Sequence, residues 1–452
     1  MQVDDVAVIS RELRSCTRCR TTLLAASLGQ PVARRRHIAL PARSRVSWSR
    51  DVVTEGEDDP GGIDKMAITN GLRIAVVGCG YWGSKHVRVL HSTEGVDQVV
   101  LVDAHEARLH HLARNYPSAL CFTSLRAALP HVDAVIVATP PTSHVAIALH
   151  AIDAGKHVLV EKPLAPTSAG ALQLIAAAAR AGVILMTGHT FEYNPAVWKL
   201  RELVRSGTLG DVYYLDSARL NLGLYQNDVN VILDLAPHDV SIINHVLGEP
   251  PVAVQAWASR HAHPRFEDVA YLRLLYADER LSANIHVSWL DPCKVRRVTA
   301  VGSAKMAVYD DLATEERIRV LDKGVSRSVN GDDLTQPPMS YRYGDITSPY
   351  VASDEPLSLQ DAHFAECVMT GTTPNTDGAN GLAVVEVLEA AQLSLQLDRP
   401  VRLDELSPDR EPALTHFDAH AVAPIRPWLR DHTAQVPSGN GWHRGHATTV
   451  TT

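Results

Sequence analysis

Leu72-Arg73-Ile74-Ala75-Val76-Val77-Gly78-Cys79-Gly80-Tyr81-Trp82-Gly83 decides the fold of this 452-residue chain. An apolar, β-branched run enters G-x-G-x-x-G and leaves into Ser84-Lys85-His86-Val87-Arg88-Val89-Leu90, which reads as strand, tight turn and helix. Each glycine has its own task. Gly78 makes the turn, Gly80 lets backbone approach a pyrophosphate, and Gly83 lets helix and strand pack closely, with the helix N-terminus facing the anion. Val99-Val100-Leu101-Val102 follows as a second strand and ends at Asp103. That carboxylate lies about 20 residues beyond the last glycine, the spacing expected of a ribose 2′-hydroxyl acceptor. An ordinary βαβ turn with an N-capping Asp is the alternative. The expected unit is a Rossmann dinucleotide-binding domain.

Working outward, the runs Ala134–Val137, His157–Val160 and Ile184–Met186 alternate with helical periods over Glu106–Asn115, Ser143–Ala154 and Ser168–Ala181. This rhythm predicts a parallel, doubly wound α/β sheet over residues 66–190. Beyond residue 190 the strand-like runs Val212–Leu220, Val252–Ala258, Val269–Tyr276, Leu281–Val287, Arg296–Val301 and Met306–Val308 follow one another. Residues 191–403 are therefore expected to form an α+β domain around a mostly antiparallel, open-faced sheet, with helices over Pro237–Leu247 and Leu382–Leu397. Residues 404–452 read as a disordered tail.

Residues 1–65 carry seven arginines between Arg11 and Arg36, then the acidic stretch Glu55–Pro60, and no sustained period. They are expected to be a disordered leader or a mis-assigned start, with Met66 as the physiological first residue. Cys16-x-x-Cys19 finds no second ligand pair, so no metal is expected. A formal charge of −8 and a pI near 6.3 argue against nucleic acid as a partner. No run approaches 18 consecutive apolar residues, so no membrane span is expected. Six scattered cysteines read as reduced thiols of a cytoplasmic protein.

Three further stretches carry chemistry. Ala138-Thr139-Pro140-Pro141-Thr142-Ser143-His144 closes a buried strand and should border the cofactor, because ligands bind beyond the carboxyl ends of doubly wound strands. Glu161-Lys162-Pro163 closes the next. A lysine at that lip can polarise a substrate oxygen, or it can be a surface residue paired with Glu161; a cis bond before Pro163 is plausible there. In Asp234-Leu235-Ala236-Pro237-His238-Asp239, Pro237 predicts a helix start. Asp234 and His238, at i,i+4, share a face. They suit a general base with an orienting carboxylate, against an N-cap for Asp234 and a structural role for His238.

Together these motifs resemble the glucose–fructose oxidoreductase / inositol dehydrogenase (Gfo/Idh/MocA) family over about residues 72 to 403. Pro374-x-x-Asp377-Gly378-x-x-Gly381-Leu382 extends the likeness into the last long helix. The resemblance implies catalysis by Lys162 with Asp234 and His238 as an acid/base dyad. It implies NAD, in preference to NADP, held by Gly78, Gly80, Tyr81, Trp82, Gly83, Asp103, Thr139, Pro140, His144, Glu161 and Lys162. Two departures stand out: Ala236 occupies a position where the family usually has Gly, and Ser241 one where it often has Asp, with Asp239 offset. The segments Gly188–Pro195 and Arg219–Gly223 resemble members of nucleotide-sugar or amino-sugar pathways, which nominates Tyr193, Asn194, Arg219 and Asn221 for substrate binding.

The expected activity is hydride transfer at a secondary alcohol or ketone of a sugar, with C3 of a nucleotide-linked hexose as the leading reading. An inositol, free-sugar or sugar-phosphate dehydrogenase is the alternative enzyme, and a non-catalytic dinucleotide-sensing regulator the alternative of another class. Lys162 and His238 together favour an enzyme, since a sensor has no chemical need of both. The open sheet face implies a homodimer or homotetramer.

Overall fold

The computed structural model describes residues 71–226, 228–327 and 339–406. Short apolar runs become the first sheet: β1 Leu72–Val77, β2 Val96–Val102, β3 Leu120–Phe122, β4 Ala134–Val137, β5 His157–Glu161 and β6 Leu185–Gly188. All pair in parallel, in the order β3-β2-β1-β4-β5-β6. The crossovers are α1 Tyr81–Leu90, α2 Glu106–Ala113, the single turn α3 Leu125–Ala128, α4 His144–Asp153 and α5 Ser168–Ala181. Strand order reverses between β1 and β4, so the ligand crevice opens beyond Val77 and Val137. β3 escapes the sequence reading because three residues are too few to show a period.

The second half begins with α6 (Pro195–Arg205), β7 (Val212–Leu222) and α7 (Val231–Leu247). The strands β8 Ala253–Ser259, β9 Val269–Leu275, β10 Ser282–Ser288, β11 Leu290–Gly302, β12 Met306–Asp310, β13 Ile318–Arg327 and β14 Met339–Thr347 follow. Then come α8 Pro356–Thr370, α9 Gly378–Leu397 and β15 Val401–Arg402. The sheet runs β14-β13-β12-β11-β7-β10-β9-β8-β15, antiparallel except for β7 beside β10. Along β9, Ala270, Leu272 and Leu274 face a core shared with Ile232, Val240 and Ile243 of α7, while Tyr271 and Arg273 face out. Phe364 and Val368 of α8 pack among Ile74, Leu101 and Ile136 of the first sheet. The chain thus returns from the second sheet to cover the first.

Two expectations need correction. The helix predicted from Pro237 starts at Val231, because the Asn230 side chain accepts from Leu233 N at 3.1 Å and caps it. Pro237 is interior, where it withholds the N–H that Leu233's carbonyl would have received. Asp234 is therefore inside the first turn and is not the cap. The chain also continues in regular form past residue 403, through a turn over Leu403–Glu405 tied back by Arg399 on Glu405. Residues 1–65, the rest of the 404–452 segment and the Cys16/Cys19 pair lie outside the described residues.

Candidate active site

At the switch point the glycine turn has the form its sequence implied. Gly78 sits at φ +92°, and a Cβ there would stand 2.8 Å from the Ala138 carbonyl oxygen at the end of β4. A Cβ on Gly83 would collide with the Gly78 carbonyl, so helix and strand touch backbone to backbone. At Gly80 nothing lies within 4 Å of a Cβ position, which leaves the helix N-terminus open to an anion. Tyr81 and Trp82, in the first turn of α1, stay exposed, with Lys85 Nζ 4.6 Å over the Tyr81 ring. Thr139 and Pro140 flank the crevice, and the Thr139 hydroxyl accepts from Ser143 at 2.8 Å. These residues fit a dinucleotide.

Asp103 stands where its spacing placed it, but backbone engages it. One oxygen accepts from Cys79 N and the other from His105 N, both at 2.8 Å, and Arg108 lies 3.5 Å away. The carboxylate therefore shapes the glycine turn, and its remaining lone pairs are what a ribose can use.

Lys162 and Asp234 meet, in a way the sequence did not indicate. Lys162 follows β5, with a cis bond to Pro163. Its ammonium donates to the Asp234 backbone carbonyl at 2.7 Å and lies 3.7 Å from the Asp234 carboxylate. That carboxylate accepts from the indole N–H of buried Trp289 at 3.0 Å. So Lys162 is not paired with Glu161, and Asp234 orients Lys162 from the face of α7. His238 is half-buried, with Phe191 edge-on at 5.1 Å. Its Nδ1 is closed off from solvent and has no hydrogen-bond partner among the described residues, so Asp234 does not hold its tautomer from that side. Burial, then the charges of Lys162 and Arg219, push its proton affinity well below the usual histidine range. The ring is neutral at pH 7, and Nε2 is the nitrogen left to accept a proton.

Several nominated residues turn inward. Glu161 is buried, takes His86 Nε2 at 3.0 Å on one oxygen and the Lys162 backbone N–H at 3.1 Å on the other. It braces the Lys162 peptide from within the core. His144 is fully buried between the carbonyls of Pro163 and Thr139, at 2.9 and 2.8 Å, and fastens the two crevice loops together. Tyr193 lies in the core with its hydroxyl 3.2 Å from Thr376. Asn194 caps α6 through Ala196 N and donates to the Tyr309 hydroxyl. Arg219 is buried against Asp239, at 2.7 Å, with its guanidinium 4.6 Å over Phe191. The offset Asp239 thereby finds its role as the counter-charge of Arg219. Of the four substrate candidates, Asn221 alone stays half-exposed, beside Gly223 and Trp289. A cleft of about 760 Å³ between Trp198, Asn244 and Asn380 is a separate place, lined by neither Lys162 nor His238.

Sequence reasoning missed Trp289, Phe191, His86 and Asp361. His86 is fully buried, with Asp361 2.9 Å from its Nδ1 and Glu161 on its Nε2. Burial opposes its charge, yet Asp361 and then Glu161 hold the proton up to about 10. The folded chain therefore binds more protons than the unfolded one from 6.5 to about 10. That stabilisation is full below the lower value and lost as pH rises through the upper one. Thermal melts from pH 7 to 10 are expected to show a falling Tm in the native chain and a flatter course in His86→Gln.

A glycine cradle at a Rossmann switch point, facing a lysine, a carboxylate and a neutral imidazole, defines an NAD-binding oxidoreductase. Residues 72–189 match the oxidoreductase family with an NAD-binding Rossmann fold, and residues 197–308 match the GFO/IDH/MocA C-terminal domain. The chain belongs to the GFO/IDH/MocA oxidoreductase family and is an NAD-dependent dehydrogenase acting on CH–OH groups. It is 24% identical over 364 residues to D-apiose dehydrogenase of Paraburkholderia graminis, covering 77% of this chain and 94% of that one. It is 32% identical over 212 residues to inositol 2-dehydrogenase 2 of Saccharopolyspora erythraea, covering 45% and 62%. Among solved structures, GenD2 from gentamicin A biosynthesis in complex with NAD aligns at TM-score 0.62 and 27% identity, covering 78% of this chain and 99% of that one. The UDP-N-acetylglucosamine 3-dehydrogenase GnnA of Acidithiobacillus ferrooxidans shares the fold at TM-score 0.59 and 24% identity, covering 72% and 98%.

Proposed function

We propose that this chain oxidises a secondary alcohol of a sugar, at C3 of a nucleotide-linked hexose, using Lys162 and His238. The observation that carries the reading is the meeting of Lys162, Asp234 and a neutral His238 beyond the carboxyl end of β5. Bound NAD supplies the hydride acceptor. His238 takes the hydroxyl proton on Nε2, and the Lys162 ammonium steadies the developing alkoxide. Asp234 holds Lys162 in place, and its own carboxylate is steadied by Trp289. The sugar class is supported by the apiose and inositol dehydrogenases among the relatives. The nucleotide-hexose choice rests on the resemblance carried by residues 188–195 and 219–223. A panel of UDP-N-acetylglucosamine and other nucleotide sugars, D-apiose, myo-inositol and sugar phosphates, followed by NADH absorbance, tests it. Preference for myo-inositol would replace the hexose by a cyclitol, the reading favoured by the identity to inositol 2-dehydrogenase 2. No NADH formation from any of them would favour a regulator.

NAD is expected to exceed NADP in kcat/KM on the order of a hundredfold, because a 2′-phosphate would face the Asp103 carboxylate. Arg108, 3.5 Å from Asp103 and exposed, is the residue able to soften this preference. A preference for NADP would remove Asp103 from the ribose role.

We further propose a homodimer or homotetramer built on the outer face of the second sheet. Trp257, Tyr271 and His286 form an aromatic ladder there, with Tyr271 and His286 stacked at 4.0 Å and Trp257 57% exposed. Tyr214, opposite Ser282 and four residues along β7 from the partner of His286, is exposed as well, and exposed apolar patches of this kind mark association surfaces. Light scattering at micromolar concentration is expected to give at least twice the chain mass, and Trp257→Glu to reduce it; a one-chain mass for the native protein refutes the assembly.

A further inference from the structure

We infer that His86 and Asp361 are positioning residues for Lys162, acting through Glu161. The inference rests on the reading of Lys162 as catalytic. Three ionisable side chains from distant parts of the chain form one buried strut. Asp361 of α8 and His86 of α1 are fully buried, and Glu161 at the end of β5 is 6% exposed. Both Asp361 oxygens approach His86 Nδ1, at 2.9 and 3.1 Å. His86 Nε2 meets one Glu161 oxygen at 3.0 Å, and the other Glu161 oxygen accepts from the Lys162 backbone N–H at 3.1 Å.

The strut has no slack at either end. Gly188 on β6 leaves the room that Glu161 occupies, since a Cβ there would stand 3.2 Å from its carboxyl carbon. Asp361 takes a further bond from Gln360 Nε2 at 3.3 Å, and Gln360 accepts from the Thr190 hydroxyl at 2.8 Å. An imidazolium donates from both nitrogens, so it can satisfy two carboxylates at once, whereas a neutral ring donates to one only. Without it, two buried carboxylates would have no shared proton between them, and Glu161 would be free to leave the Lys162 peptide.

The geometry also explains why the residue lies on α1. That helix presents its N-terminus to the pyrophosphate, and His86 follows Gly80 by less than two turns. The same rigid element therefore seats the cofactor and braces the loop that carries Lys162. With a dinucleotide bound, one helix would hold both its cradle and the loop that carries Lys162.

His86→Gln and Asp361→Asn, made in the full-length chain, test this. Each is expected to lower kcat about ten- to a hundredfold on the panel compound the native chain oxidises, with NAD affinity unchanged. A crystal structure of either variant gives a readout that needs no substrate: Lys162 Nζ is expected beyond about 3.5 Å from the Asp234 carbonyl, outside hydrogen-bond range. Unchanged kcat with Lys162 still on that carbonyl overturns the inference. So does a parallel loss of kcat, NAD affinity and Tm in both variants, which marks a staple of the fold. Asp361→Asn keeps the shape and most of the bonding, and so reports even where His86→Gln fails to fold. Lys162→Ala separates the two levels: if it stays active, the reading of Lys162 fails; if it is inactive while both strut variants are normal, only the strut fails.

Discussion

Lys162→Ala and His238→Ala are each expected to lower turnover about 10²–10⁴-fold, the usual cost of losing a positioned acid or base, while leaving NAD binding nearly intact. The reason is spatial. In the proposed mechanism Lys162 and His238 face the reacting carbon from the end of β5 and from the face of α7, whereas the dinucleotide is assigned to the turn at Gly78–Gly83, to Asp103 and to the Thr139–Pro140 loop. Asp234→Asn is expected to cost less, since its carboxylate acts through Lys162 and its backbone carbonyl, the closer partner at 2.7 Å, survives the change. Steady-state kinetics with calorimetric NAD titration checks all three. Near-normal turnover in Lys162→Ala would end the mechanism, and loss of NAD binding in either alanine variant would make that residue structural. The pH–rate profile adds a sign: because His238 titrates well below the usual range, the acid limb of kcat/KM should fall below pH 6.5.

Two glycine variants should separate packing from cofactor binding. Gly83→Ala drives a Cβ into the Gly78 carbonyl, a backbone atom that cannot step aside, so α1 must shift on β1. Overpacking of this kind costs about 1–3 kcal/mol. Tm should fall, and NAD affinity should fall at least about a hundredfold, because the donors at the helix N-terminus move off the pyrophosphate. Gly80→Ala meets no protein atom, so Tm should hold while NAD affinity falls, the methyl occupying space the pyrophosphate needs. Differential scanning calorimetry with NAD titration measures both. Normal NAD affinity in Gly80→Ala would place the pyrophosphate elsewhere.

Much of the fold was legible because its signals are local. G-x-G-x-x-G after a β-branched run needs no distant partner to become strand, turn and helix, and the four parallel strands it leads were each read to within a few residues. The change of rhythm near residue 190 announced the second sheet for the same reason. Local logic also misled. Pro237 reads as a helix start, yet tertiary packing on Ile232, Leu233 and Ala236 extends the helix through it. Tyr193 and Asn194 have side chains suited to a sugar, but one packs in the core and the other caps a helix.

By itself, the sequence determined the Rossmann half and the cofactor class, which follow from turn chemistry and strand periodicity. It nominated Lys162 and His238 as the reacting pair through the family resemblance, beside a surface role for the lysine and a structural one for the histidine. Only the tertiary structure decided what each charged group does, because charges are settled by partners and the partners are far away in the chain. Asp234 turns to Lys162 and Trp289, 72 and 55 positions distant, and not to His238 four residues on. His86 waits for Asp361, 275 residues later, before its proton has a reason to stay. A buried charge must be paired wherever the fold can bring a counter-charge, and i,i+4 spacing says only which face a side chain shares, not which neighbour will reach it first.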